Sequence, residues 1–192
     1  GRLSARGTIT DDRLIQAKGI DYSLTEPLGG DADAAERFHG GAYATLYLAP
    51  GDYHRIHMPL DGRVTEMVHV PGRLYSVAPW TVAQIDGLFA RNERVCAHFG
   101  TDAGPLGLVL VGAINVAAIE TVWAGLVTPP RGRRVTHRDY ADGPALARGA
   151  EMGRFNMGST VIVLAPPGTA WEEEPEPGER VRLGQALGRV SR

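Results

Sequence analysis

Lysine and cysteine are almost absent from this sequence. Twenty of its 192 residues are basic, yet Lys18 is the only lysine, which leaves little scope for catalysis through a lysine Schiff base. Cys96 is the only cysteine, so an internal disulfide and a cysteine-built zinc site are both excluded. A single cysteine also fits a reducing compartment, and we interpret Cys96 as a small, buried, apolar residue.

Long hydrophobic runs and an excess of one charge are also missing. No apolar stretch approaches the ~18 residues of a membrane-spanning helix, and no signal peptide opens the chain. The net charge of −2 and the pI of about 6.3 give no indication of a nucleic-acid partner, which is usually met by a basic face. Because 43% of the residues are hydrophobic, we predict one soluble domain with a buried core over residues 1–192.

Short β-branched runs separated by glycine and proline dominate the chain after its first forty residues. They predict a mainly β (α+β) fold with two short N-terminal helices, over residues 13–18 and 31–39. Residues 58–64 and 178–188 resemble the half-repeats of barrel-sandwich hybrid folds, so we expect a β core of that kind. The Arg- and Gly-rich residues 129–149 predict a loop.

The segment MGSTVIVL (157–164) is the strongest candidate for a chemical site. Ser159 follows Gly158 and opens a β-branched run, so the serine is expected at the mouth of a strand. Glycine permits a backbone geometry that other residues cannot adopt, and a nucleophile could stand there. An ordinary junction between a loop and a strand has the same local sequence, and both interpretations stay open from this motif alone.

His54 and His57 are the candidate proton-transfer residues, because a neutral imidazole can accept a proton at physiological pH. On a strand their spacing of three residues places them on opposite faces, which favours two separate roles over a shared metal ion. Structural or surface roles remain the alternative. The other histidines lack the spacing typical of metal ligands, and we predict no metal: His39, His69, His98 and His137.

Six blocks of the sequence together resemble the bacterial phosphatidylserine decarboxylases. In chain order they are YHRIHMP (53–59), LFARNERV (88–95), GAINV (112–116), ETVWAG (120–125), EMGRF (151–155) and MGST (157–160). The resemblance runs from about residue 15 to residue 187, and Met157 replaces the leucine of the family's LGST motif. It implies self-cleavage between Gly158 and Ser159, which gives a β chain of residues 1–158, an α chain of residues 159–192 and a pyruvoyl cofactor derived from Ser159.

The resemblance also implies roles for the two histidines. His57 matches the general base for self-cleavage, and His54 matches the acid and base of the decarboxylation. The family's aspartate, which orients the base, is placed one residue before Gly1, so we expect residues 1–192 alone to cleave poorly. Asp61 is a tempting substitute, but Asp61-Gly62 predicts a hairpin turn.

The implied reaction converts phosphatidylserine into phosphatidylethanolamine. Its setting would be the cytoplasmic side of a bacterial cell membrane, with peripheral attachment, although residues 1–192 contain no N-terminal membrane-docking segment of the kind the family usually carries. The two chains cut from one precursor would be each other's partners, and a homodimer is allowed. Arg55, Arg91 and Arg94 are candidates for the cationic seat of the phosphodiester, and each has a surface role as its alternative.

Two rival functions stay open. A non-catalytic barrel-sandwich binding or carrier module, including a histidine phosphocarrier that uses His54 or His57, explains the glycine turns but gives Ser159 no role. A serine hydrolase built on Ser159 and His57 would react with serine-directed reagents, which a pyruvoyl enzyme should escape.

Overall fold

A computed structural model describes residues 1–17, 20–114, 118–129, 133–157 and 159–191. Its strands, in chain order, are β1 Arg2–Thr8, β2 Arg13–Ala17, β3 Ile20–Ser23, β4 Ala42–Tyr47, β5 Arg55–His57, β6 Gly62–Val70, β7 Arg94–Thr101, β8 Gly104–Val111, β9 Ile119–Thr121, β10 Gly125–Leu126, β11 Thr136–Asp139, β12 Ala145–Leu146, β13 Glu151–Phe155, β14 Thr160–Ala165, β15 Thr169–Trp171 and β16 Gly188–Val190. The helices are α1 Ala32–Glu36, α2 Pro79–Val82 and α3 Leu88–Arg91. The predicted mainly β fold is confirmed.

The largest sheet is antiparallel and contains eight of the described strands. Its order is β1-β4-β14-β8-β7-β6-β11, and β12 also pairs with β6. Strand β14 lies between β4 and β8 and is hydrogen-bonded to both. This central position explains the composition of β14, because a strand covered on both faces contains a nearly continuous apolar run.

The two faces of this sheet are covered by different parts of the chain. On one face, Phe38 at the end of α1 packs against the ring of His98, with ring centroids 6.1 Å apart. On the other face, Phe99 meets Trp123 edge to face at 5.8 Å. Neighbouring residues on a strand point to opposite faces, so β7 contributes to two buried layers.

The second sheet has the order β10-β9-β13-β5. Strand β5 pairs with β13, whereas β6 pairs with β7 in the large sheet. The predicted hairpin at Asp61-Gly62 is therefore wrong, because the chain passes from one sheet to the other at this point. Asp61 instead accepts a hydrogen bond from the backbone N–H of Arg148 at 2.7 Å.

The second of the two predicted N-terminal helices is confirmed, although it is shorter than expected. Asp31 caps α1 by accepting a hydrogen bond from the backbone N–H of Ala34 at 2.9 Å. The helix ends at Glu36, and the chain then turns to Gly40, which has φ of +69°. This positive φ suits glycine, which has no Cβ.

The first predicted helix, over residues 13–18, is wrong, because β2 and β3 form a hairpin there. Asp11 and Asp12 have φ of +51° and +58°, so they form a tight turn rather than the first turn of a helix. The Asp12 carboxylate accepts hydrogen bonds from Ser23 and Thr25 at the end of β3. The Asp12 carboxylate therefore stabilises the hairpin instead of capping a helix. The strand pairing outweighs the local preference for a helix. Lys18 lies outside the described residues.

The predicted loop over residues 129–149 contains β11 and β12, which pair with β6. That prediction is wrong in part because the polar composition reflects an exposed edge rather than a lack of pairing. The finer expectation of a barrel-sandwich hybrid stays a prediction. Among the described residues, no helix is long and apolar enough to cross a bilayer.

Candidate active site

Ser159 lies directly before β14, an interior strand of the large sheet, and so stands at the mouth of a strand as predicted. Its carbonyl accepts a hydrogen bond from the backbone N–H of Leu48 at 2.9 Å. The residue is fully buried, and its hydroxyl has no hydrogen-bond partner among the described residues. Gly158 lies outside the described residues. A buried hydroxyl without a partner is costly, and the hydroxyls of Thr45 and Thr160 are in the same state, so the position of Ser159 between Gly158 and β14 is what makes it the candidate nucleophile.

His57 lies at the end of β5 and is held by both ring nitrogens. Nδ1 is 2.7 Å from the carbonyl oxygen of Gly149, and Nε2 is 2.9 Å from the hydroxyl of Tyr53. Because a carbonyl can only accept, the proton of a neutral His57 is on Nδ1. Nε2 therefore carries the free electron pair and accepts the hydrogen bond that Tyr53 donates. The geometry fixes the tautomer in which Nε2 can act as a base.

His54 precedes β5 and has different surroundings. Its Nε2 is 3.1 Å from the carbonyl oxygen of Pro50, which assigns the proton of a neutral ring to Nε2. Nδ1 is buried and lacks a hydrogen-bond partner among the described residues. The two histidines share none of these contacts, in agreement with separate roles.

One loop, residues 48–54, connects the serine with the histidines. Leu48 at its start is bonded to Ser159, and His54 at its end accepts a hydrogen bond from the backbone N–H of Phe155 at 3.0 Å. The loop therefore brings His54 to the strand β13, whose chain leads on to Ser159. The structure does not join base and nucleophile directly, because the Ser159 hydroxyl is unpartnered while both His57 nitrogens are engaged.

Gly1 lies beside this same loop. A Cβ at Gly1 would be 2.7 Å from Cδ2 of Leu48, the residue bonded to Ser159. The amino group of Gly1 is 3.7 Å from Oδ1 of Asp52. Gly1 and Ser159 thus both lie next to Leu48.

Charged groups frame the four-stranded sheet next to the site. Arg55 donates two hydrogen bonds to Glu151, at 2.8 and 2.6 Å. Glu120 accepts hydrogen bonds from Asn156 and Arg154, and these two bonds hold the pKa of its carboxyl below the usual range. The guanidinium groups are balanced by carboxylates, so the surface beside the site has paired charges.

The expectation that Arg94 could seat a phosphodiester is wrong. Arg94 is only 3% exposed. Its guanidinium donates hydrogen bonds of 2.6 to 2.8 Å to four backbone carbonyls, those of Pro27, Ala90, Asn92 and Glu26. Burial lowers the pKa of Arg94. The side chain ties three segments of the core together and is not accessible to a ligand. Arg91 is exposed at the end of α3 and stays a candidate for binding the phosphodiester.

Tyr53 and Gly149 are the site residues that the sequence did not reveal. Tyr53 stacks on His57 with ring centroids 5.7 Å apart, and its position four residues before the histidine is a weak signal for such a pair. Gly149 contributes only a carbonyl from a loop far along the chain. No side-chain pattern could have identified it.

Known proteins resemble this chain over nearly its whole length. The model of the family "Phosphatidylserine decarboxylase" matches residues 1–189. Phosphatidylserine decarboxylase proenzymes from Nitrosococcus oceani, Ectopseudomonas mendocina and Shewanella halifaxensis are 57%, 55% and 53% identical to the chain. These matches cover 99%, 98% and 99% of the chain, which spans 63%, 67% and 68% of the three relatives.

Proposed function

The chain belongs to the phosphatidylserine decarboxylase family, and we propose that it is the catalytic part of an enzyme that converts phosphatidylserine to phosphatidylethanolamine and CO2. The single observation that carries the proposal is the family match over residues 1–189, and the buried Ser159 at the mouth of β14 is the residue to which we assign the chemistry. Its relatives are named as proenzymes, and a serine that is itself processed agrees with a hydroxyl that has no hydrogen-bond partner among the described residues.

The residues around Ser159 fit a pyruvoyl group made from that serine. An unpartnered oxygen in a buried position leaves the hydroxyl free to react rather than engaged in a structural bond. When present, the group supplies a ketone that binds the substrate amine and accepts the electrons left by CO2, as other carbonyl cofactors do.

His57 is the proposed base for cleavage of the Gly158–Ser159 bond. The proton on its Nδ1 is held by the Gly149 carbonyl, so Nε2 is the atom that removes the Ser159 proton. The serine oxygen then attacks the carbonyl carbon of Gly158. This transfer requires Nε2 to leave the Tyr53 hydroxyl, since each nitrogen has one electron pair to offer.

His54 is the proposed proton carrier of the decarboxylation. Its Nε2 proton is anchored on the Pro50 carbonyl, which leaves Nδ1 as the atom that accepts or delivers a proton. Nδ1 is buried and has no partner among the residues that the structure describes, so none of these competes for that proton. A positioned imidazole in this state contributes as a general acid or base near neutral pH.

The membrane surface is the proposed setting. Trp80 is 66% exposed, and Leu74 and Tyr75 on the same segment are 36% and 38% exposed. Exposed apolar and aromatic side chains close together support contact with the headgroup region of a bilayer. Cytoplasmic orientation and a homodimer remain proposals that rest on the family alone. Co-sedimentation with phosphatidylserine vesicles should be weakened by Trp80→Ala.

An intact mass of the chain expressed with its native upstream residues tests the processing mechanism. We expect two fragments divided between Gly158 and Ser159, with the C-terminal fragment lighter by one ammonia than a fragment that begins with serine. Ser159→Ala should give one uncut chain. Decarboxylation of phosphatidylserine by the cut protein, and its loss in the uncut variant, tests the substrate. Single full-mass chains in both cases would favour the binding or carrier module.

The serine hydrolase is disfavoured by the same geometry. A hydrolase needs its serine exposed to substrate and hydrogen-bonded to the base, whereas Ser159 is buried and has no such bond. Labelling of Ser159 by a serine-directed reagent would reverse this conclusion.

A further inference from the structure

Three ligand-type side chains converge at one edge of the large sheet. The donor atoms of Asp31, Glu66 and His137 all lie within 4.8 Å of one another. Asp31 is the cap of α1, Glu66 lies in β6 and His137 lies in β11. The three are far apart in sequence, so only the fold reveals the cluster.

Strand register explains this convergence. Asp139 of β11 is opposite Glu66 of β6, and His137, two residues earlier on β11, points to the same face. His98 of β7 is opposite Glu66 on its other side, and directly opposed residues have Cβ atoms roughly 5 Å apart. Glu66 and His98 thus form a row across β6 and β7, and His137 on β11 lies diagonal to Glu66 on the same face.

His98 supplies the independent sign that this row serves a ligand. The residue is 3% exposed, and its Nδ1 is buried without a hydrogen-bond partner among the described residues. Buried polar atoms are normally satisfied, so an unpartnered nitrogen on the residue opposite Glu66 calls for a reason.

We propose that Asp31, Glu66 and His137, with His98 as a fourth donor, bind a divalent transition-metal ion of the Zn²⁺ class. Two imidazoles and two carboxylates match the ligands that Zn²⁺ accepts, and the histidines disfavour Mg²⁺ and Ca²⁺, which prefer oxygen alone. Tetrahedral donors around Zn²⁺ lie roughly 3.5 Å apart. The three clustered side chains therefore need to approach by only about one ångström.

Arg37 is the group that must move. Its NH2 is 3.3 Å from Oε2 of Glu66, and its side chain is 42% exposed. An exposed ion pair is weak, so the guanidinium can swing into solvent when a metal ion takes its place. Arg37 and the metal therefore compete for the carboxylate of Glu66. Removal of Arg37 should strengthen metal binding, whereas removal of a ligand should weaken it.

Calorimetric titration of the purified, metal-stripped protein with Zn²⁺ tests the site, with Mg²⁺ and Ca²⁺ as comparison ions. We expect saturable 1:1 binding of Zn²⁺, weakened at least about tenfold by Glu66→Gln or His137→Ala. Arg37→Gln should tighten binding by about 1.5- to 5-fold, since it removes the competing ion pair. His39→Ala removes an exposed histidine outside the cluster and should leave the affinity unchanged.

Thermal unfolding of each variant without metal verifies that it is folded before titration. The proposal is overturned if the folded protein shows no saturable Zn²⁺ binding. It is equally overturned if His39→Ala weakens binding as much as His137→Ala, since the metal would then be held by surface histidines at random. Neither measurement uses decarboxylase activity, so the outcome is independent of the proposed function.

Discussion

The hydroxyl of Tyr53 lies 2.9 Å from Nε2 of His57, and the two rings stack with an angle of 26° between their planes. Because the Gly149 carbonyl takes the Nδ1 proton, the nitrogen that Tyr53 occupies is the one that must accept the proton of Ser159. In this arrangement His57 cannot accept the proton of Ser159, because its Nε2 is already hydrogen-bonded to Tyr53. Tyr53 is 51% exposed, so its side chain can move away without disturbing the core.

Tyr53→Phe should accelerate self-cleavage. The variant keeps the stacked ring but removes the hydrogen bond that competes for Nε2, and a net bond of this kind is worth about 0.5–1.5 kcal/mol. We expect a rate about 2- to 10-fold higher, measured by gel or intact mass over time in the chain with its native upstream residues. His57→Ala should abolish cleavage in the same assay.

Tyr75→Phe is the matched control, because this tyrosine is also partly exposed but lies on another segment. Its cleavage rate should equal that of the parent. If Tyr53→Phe instead slowed cleavage markedly, Tyr53 would be a residue that positions His57 for the reaction rather than one that occupies the base.

The two fragments should stay together after cleavage. Residues after Ser159 begin with β14, which is hydrogen-bonded on both sides and buries Val161, Ile162 and Leu164 to 4% exposure or less. The same fragment also bonds to β1, where Leu3 and Glu179 share a backbone hydrogen bond of 3.0 Å. Size-exclusion chromatography should show one species in native buffer and two only in denaturant. Separation in native buffer would contradict this central position of β14.

The sequence predicted the position of Ser159, but it did not predict the two residues that contact His57. A glycine and a serine before a β-branched run gave Ser159 its correct place at a strand mouth, because strand propensity and burial act together along β14. The roles of His54 and His57 stay predictions. Tyr53 was missed because a partly exposed tyrosine has no distinctive pattern, and Gly149 because a backbone carbonyl has none at all.

The fold prediction was wrong where it relied on local sequence patterns. At these positions, contacts between residues far apart in the sequence decide the structure. Asp11 and Asp12 have the composition of a helix start, but Leu14 is opposite Tyr22 in a hairpin, and both are buried. Burial of such a pair outweighs a modest helix propensity. Asp61-Gly62 has the composition of a hairpin turn, but its flanking strands belong to different sheets.

Cys96 should be unreactive in the folded protein. It is fully buried, and burial raises the pKa of its thiol to about 12, so the nucleophilic thiolate is almost absent at neutral pH. We expect no alkylation by iodoacetamide in native buffer and complete alkylation in denaturant, measured by mass. Rapid modification of the native protein would show that the core opens around β7.

Arg94 should be essential for stability although it takes no part in the chemistry. Arg94→Met removes a donor from four backbone carbonyls, of which those of Pro27 and Glu26 keep a second donor, Cys96 and Gly29. An unsatisfied buried acceptor costs about 1–3 kcal/mol before relaxation. We expect the free energy of unfolding to fall by about 3 kcal/mol or more, measured by urea denaturation. Arg91→Met, in the exposed last turn of α3, is the matched control and should change it by no more than about 0.5 kcal/mol. Equal effects of the two substitutions would mean that the carbonyl cluster around Arg94 contributes nothing specific, and that the buried guanidinium is tolerated rather than required.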